Sequence, residues 1–149
     1  MSQNICTHEN FDEMSWHDNH VHGIQVVEGE HGGTLILDLD YIVEWIRVGD
    51  AYKFRIVPST LSFFKVSGLQ IQLDYHRPSA AIGPFSMDRI IRATEKREQY
   101  TATIWRIPFN WPDGHISFEA AGFSQQARGV PVLTDRQMLS TEERAGASR

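Results

Sequence analysis

The run TLILDLDYIVEW, from Thr34 to Trp45, decides how this chain is read. Leu35, Leu37, Leu39, Tyr41, Val43 and Trp45 hold alternate positions, and a period of two sets them on one face of an extended strand. That face is expected to be buried. Thr34, Ile36, Asp38, Asp40, Ile42 and Glu44 share the other face, a mixture suited to a half-exposed sheet surface or the wall of a polar cleft.

Working outward, Tyr52, Phe54 and Ile56 alternate with Lys53 and Arg55 in the same manner. Ser67-Gly68 then predicts a two-residue turn that pairs Val66 with Leu69, Phe64 with Ile71 and Ser62 with Leu73, collecting apolar residues on one side. Pro112-Asp113-Gly114 marks a second reversal. Centred on Asp113-Gly114, it sets Trp111 opposite Ile116, Phe109 opposite Phe118 and Trp105 opposite Gly122. Pro108 and Pro112 donate no ladder hydrogen bonds, so their segment is expected at an edge or a bulge. Between the hairpins, Met87, Ile90, Ile91 and Thr94 recur at helical spacing behind Ser86, a candidate N-cap, and predict one short helix over residues 86–97. The expected fold is mainly β (α+β): an antiparallel sheet or sandwich of about seven to eight strands. Residues 1–140 are read as a single strand-rich domain, in which Val130, Val132 and Leu133 are candidates for packing, and 141–149 as a disordered, solvated tail.

Composition narrows the function classes. The 149 residues include 8 Phe, 4 Trp and 4 Tyr, enough to fill one core. A net charge of −5 and a pI near 5.8 provide no basic footprint for a phosphate backbone, so nucleic acid is not an expected partner. The longest mostly apolar stretch, Thr34 to Ile46, carries Asp38, Asp40 and Glu44 and is too short for a membrane helix, so no membrane association is expected. Met1 to Asn10 lacks the basic start and apolar middle of a secretion signal, and the expectation is a cytoplasmic protein. Cys6, the single cysteine, can form neither an internal disulfide nor a cysteine-rich zinc site.

The densest polar cluster is Trp16-His17-Asp18-Asn19-His20-Val21-His22-Gly23. His17, His20 and His22 invite a metal reading, because imidazoles this close supply nitrogen ligands for a divalent ion. On a strand, His20 and His22 share a face, and two registers against Thr34–Trp45 are open. If Glu28 faces Thr34, His22 lies opposite Asp40 and a mononuclear metal site becomes conceivable. If Glu28 faces Gly33, His22 lies opposite Leu39 and is an ordinary member of a mixed face. Short histidine clusters also cap strands or sit in solvent, and no established ligand spacing is present, so no cofactor is expected beyond this candidate ion.

Other chemistries find less support. There is no G-x-S-x-G elbow, Ser15, His17 and Asp18 are too close in sequence to form a triad, and Gly29, Gly32 and Gly33 precede no helix that would complete a phosphate site. Trp45, Trp105 and Trp111 fall on expected core faces, which leaves Trp16 as the tryptophan available for binding. Arg128 is a loop arginine suited to a partner's carboxylate or to a neighbouring acid. Trp16, Asp18, Asp38, Asp40, Gln125 and Arg128 are the candidate binding residues.

W-H-D-N-H-V-H-G at Trp16–Gly23, L-D-L-D-Y-I-V-E-W at Leu37–Trp45 and G-F-S-Q at Gly122–Gln125 together resemble an uncharacterised bacterial domain family. The resemblance covers most of the chain and implies no substrate, cofactor or catalytic residue. P-S-T-L-S-F-F-K-V-S-G-L-Q-I, Pro58 to Ile71, is similar to strands in small immunity-type proteins of bacterial toxin systems, which implies an interaction role. The resulting expectation is a non-catalytic module that binds another protein, or itself, through a sheet edge and the polar face near His20, His22, Asp38 and Asp40. The rival is a metal-binding protein or metal-dependent enzyme built on the histidines with Asp38 or Asp40.

Overall fold

Residues 34–45 are extended, as their alternation predicts, within a longer strand around which most of the sheet is arranged. The computed structural model describes residues 5–76 and 82–147. In chain order the strands are β1 (Ile5–Thr7), β2 (His20–Val27), β3 (Gly33–Val48), β4 (Ala51–Asp74), β5 (Phe85–Met87), β6 (Ile91–Lys96), β7 (Thr101–Trp111), β8 (Asp113–Glu119), β9 (Gly122–Ala127) and β10 (Val132–Thr134). A 3-10 helix, His8–Glu13, follows β1, and α1 (Thr141–Ala147) comes last. The fold is mainly β, and these strands pair only in antiparallel fashion. Ten strands appear among the described residues where seven to eight are expected, because β1, β5 and β10 span three residues each and are too short to leave a periodic signal. No helix among the described residues is long and apolar enough to cross a membrane.

The pairings close on themselves. β4 pairs with β3, β3 with β2, β2 with β5, β5 with β7, β7 with β8, and β8 returns to β4. β9 and β10 attach to β4, β1 to β9, and β6 to β7. Ring closure gives the sheet an inside, and side chains fill it. Leu35, Leu37, Leu39, Leu61, Phe63, Trp105, Ile107, Ile116, Phe118 and Phe123 are all buried there. Phe63 lies at its centre, with ring centroids 4.7 Å from Phe118, 5.2 Å from Trp105 and 5.6 Å from Phe123. Each such side chain contributes about 1.5–3 kcal/mol by leaving water.

Four expectations are corrected. Ser67-Gly68 is not a hairpin: β4 runs through it as one bent strand, Val66 facing Gly33 and Ile71 facing Ile116. The reason is conformational. A tight hairpin turn of the Asn-Gly kind needs positive φ at both central residues, whereas here Lys65 (φ 56°) and Gly68 (φ 60°) adopt it separately and bend the strand at a bulge between Ser67 and Gln70. The chain does reverse at Pro112, but Asp113 and Gly114 are not the turn: they lie in β8 opposite Asp74 and Leu73 of β4, and the β7–β8 ladder sets Ile107 opposite Ile116 and Trp105 opposite Phe118. Phe109 and Trp111 leave β8 to pair with Met87 and Ser86 of β5, so the hairpin closes four residues further from its tip, and an even shift keeps the same face inward.

The helix expected over 86–97 is absent. Phe85–Met87 and Ile91–Lys96 are strands β5 and β6, joined by a turn in which Asp88 N–H donates to the Pro108 carbonyl at 2.9 Å. Met87 and Ile90 are buried because the turn points both into the core, which mimics helical spacing. The fourth correction lies in the decisive run itself. Leu35, Leu37 and Leu39 are buried, but the register against β4 shifts between Ile42 and Glu44, so Ile42 is buried while Val43 and Trp45 are 50% and 40% exposed. Trp16 is buried at 3% exposure and Trp111 is exposed at 45%, reversing the roles expected of Trp16, Trp45 and Trp111.

Candidate functional site

Two groups of residues outside the core carry functional potential. The first is the polar face of β2 and β3. From Gly23 to Val27 the ladder follows the register with Val27 opposite Thr34, the alternative in which Glu28 faces Gly33. A bulge between Val21 and Gly23 then sets Val21, not His22, opposite Leu39 and frees the His22 ring to turn toward Asp40. His22 Nε2 lies 2.8 Å from Asp40 Oδ2, and because a carboxylate only accepts, Nε2 carries the proton. The bulge thus joins features of both registers.

Asp40 is fully buried. Besides His22 it accepts from Leu139 N–H at 2.9 Å and from Arg144 Nη1. Asp38, beside it, accepts from Arg144 Nη2 and Arg128 Nη2. Two carboxylates are therefore matched by two guanidinium groups, and Arg144 bridges them. Leu139 packs into a second apolar cluster with Ile42, Phe54 and Ile56. Gln137 Nε2 donates to Asp18 Oδ2 at 3.0 Å, and Asn110 Nδ2 donates to the other oxygen at 2.6 Å. The segment from Val132 to Ala147 therefore crosses this face as a strap, and the solvated tail expected from Thr141 onward is, through Ala147, the helix that holds Arg144 in place.

His20 lies beneath the strap. Burial lowers its pKa below the ordinary 6.5, opposed mainly by Asp40 and by the backbone carbonyls of Gln137 and Asp18. Its Nδ1 and the Asn19 Nδ2 are buried without a hydrogen-bond partner among the described residues. His17 is elsewhere: its ring stacks on Trp45 at 6.0 Å and its Nδ1 lies 3.2 Å from the Asp88 carbonyl. No group of three or more His, Cys, Asp or Glu among the described residues is arranged to hold a metal ion. With its oxygens engaged by His22, Leu139 and Arg144, Asp40 serves as an anchor for the strap rather than as an acid or base.

The candidate binding residues thus divide. Asp38, Asp40 and Arg128 meet with His22 on the outer face, and Asp18 ties the loop before β2 to the strap. Trp16 and Gln125 are in the interior, bonded to each other through Trp16 Nε1 and Gln125 Oε1 at 2.8 Å. Leu139 and Arg144 are missing from the sequence-based set. A signal for them is present: Ser140-Thr141-Glu142-Glu143 is a capping box, with Glu143 N–H donating to Ser140 Oγ at 3.1 Å and Ser140 N–H to Glu143 Oε1 at 2.8 Å.

The second group lies on the arm formed by the far ends of β3 and β4. β2 pairs with β3 only as far as Asp40, so from Val43 to Val48 no described strand lies on the outer edge of β3. The register shift at Val43 sets Trp45 on the face that also carries Tyr52 and Phe54. Its ring centroid lies 5.0 Å from Phe54 and 6.0 Å from Tyr52. Trp45, Val48 and Tyr52 remain 40%, 50% and 44% exposed.

The chain matches no protein-family model, no curated protein and no solved structure.

Proposed function

We propose that this chain is a non-catalytic protein-interaction module of the cytoplasm that docks through the β3–β4 arm. One observation carries the reading: Trp45, Val48 and Tyr52 are exposed beside a strand edge whose N–H and C=O groups have no strand partner among the described residues. Such an edge accepts an added strand, and tryptophan and tyrosine are the side chains most often found to dominate binding energy at protein interfaces. The polar face of His22, Asp38 and Asp40 is less suited to the role, since the strap already occupies it. A net charge of −5 favours a protein partner over nucleic acid.

The experiment is affinity capture from source cells, followed by titration of the captured protein, once purified, onto wild type and Trp45→Ala. The reading requires a stoichiometric complex that Trp45→Ala weakens by about tenfold or more, with an unchanged fold. A second copy is the partner if wild type sediments as a dimer and Trp45→Ala as a monomer. A wild-type chain that stays monomeric and retains no protein is incompatible with the proposal.

A further inference from the structure

The inward face continues beyond the core. On β3, Tyr41 follows Leu35, Leu37 and Leu39; on β4, Val57 and Ser59 precede Leu61 and Phe63; on β9, Gln125 and Ala127 follow Phe123. The register confirms this alignment, with Tyr41 opposite Val57, Ser59 opposite Ala127, Leu61 opposite Gln125, and Cys6 of β1 on the far side of Gln125. The core aromatics stop at Trp16, and above it a cleft of about 210 Å³ is lined by Cys6, Tyr41, Val57, Ser59, Gln125 and Ala127, with Val43 and Pro131 at its rim. Mouths of closed sheets are common ligand sites.

Gln125 gives the cleft its chemistry. The residue is 4% exposed, and its amide oxygen is committed to the Trp16 indole N–H. Since the indole N–H only donates, that bond fixes the orientation of the amide. The amide nitrogen has no partner among the described residues and is not one of the sealed unpartnered atoms, so it is a donor open to the cleft. All the lining residues are neutral, and a charged guest would lose its hydration without a counter-charge. The volume falls below the ~300–1,000 Å³ of sites for drug-sized molecules.

We infer that this cleft binds a small neutral molecule with an apolar body and one carbonyl oxygen, the oxygen accepting from the Gln125 amide and the body lying against Val57, Ala127 and Pro131. The site is independent of the β3–β4 docking arm, and its test does not involve Trp45.

Acetophenone is the probe, and ethylbenzene, which matches it in shape but has no acceptor, is the control. Nuclear magnetic resonance titration of the full chain should show saturable shifts of the Gln125 side-chain amide and the Ala127 backbone amide. Acetophenone should bind about fivefold more tightly than ethylbenzene, the worth of one net hydrogen bond. Ala127→Phe, which fills the cleft from β9, should remove the saturable shifts. A second readout needs no variant: acetophenone should slow alkylation of the chain's single cysteine, Cys6, by iodoacetamide. The inference is overturned if acetophenone causes neither saturable shifts nor Cys6 protection, or if ethylbenzene binds equally well. Unchanged binding in a folded Ala127→Phe protein overturns it as well.

Discussion

Arg144 shows how much one side chain can carry here. It is the link between the buried Asp40 and the half-exposed Asp38, and removing it leaves a carboxylate in the interior with only His22 and one backbone N–H. Arg144→Met is expected to cost about 3 kcal/mol in urea denaturation, the usual effect of unpairing a buried charge. Asp38→Asn, at a side chain 38% exposed, should cost under about 1 kcal/mol. Two residues with shifted pKa values contribute to the pH response. His20 is held neutral by burial while the unfolded chain protonates near 6.5, so stability is complete above that value and falls as pH drops through it toward the lowered native pKa. Glu143 is likewise lowered, from an acid's ordinary value of 4.5 and chiefly by the Ser140 N–H, so its contribution is present above 4.5 and lost as pH falls through the native pKa. Melting temperature against pH should therefore decline in two windows. His20→Gln should remove the upper one and Glu143→Gln the lower.

At the scale of elements, the sequence is most readable where one face is buried along an uninterrupted ladder. Leu35, Leu37 and Leu39 obey the alternation because β2 and β4 flank them on both sides. Beyond Ile42 the same alternation misleads, since one bulged residue transfers Trp45 to the other face, and a bulge leaves no mark in a pattern of apolar residues. His22 illustrates the same limit: its contact with Asp40 arises from a bulge that neither regular register contains. The Ser67-Gly68 turn fails for a different reason, because a glycine that permits a reversal permits a bend equally well. α1 reads as a solvated tail despite its capping box, because it is only seven residues long and its apolar anchor, Leu139, lies outside it. Gly114 (φ 144°) provides a test at this scale. A Cβ there would run into the Gln72 carbonyl, so Gly114→Ala must spread the β4–β8 seam. A loss of about 2 kcal/mol or more is expected, with faster hydrogen exchange at Gln72 and His115, which face each other across that seam.

For the whole molecule, the antiparallel, mainly β character follows from the alternating runs, whereas ring closure does not. Closure depends on β8 bridging β4 and β7, on β5 joining β2 to β7, and on a strap returning to Asp40 from 99 residues away. The same distances place the candidate site beyond local reading: Asp38 and Asp40 were recognisable as an unusual pair, but the two arginines that neutralise them are 90 and 106 residues further along. A ring assembled from such remote partners has a kinetic consequence. The loop entropy of the β4–β8 and β2–β5 pairings must be overcome before the interior can fill, so refolding should take milliseconds to seconds rather than the microseconds open to helical bundles.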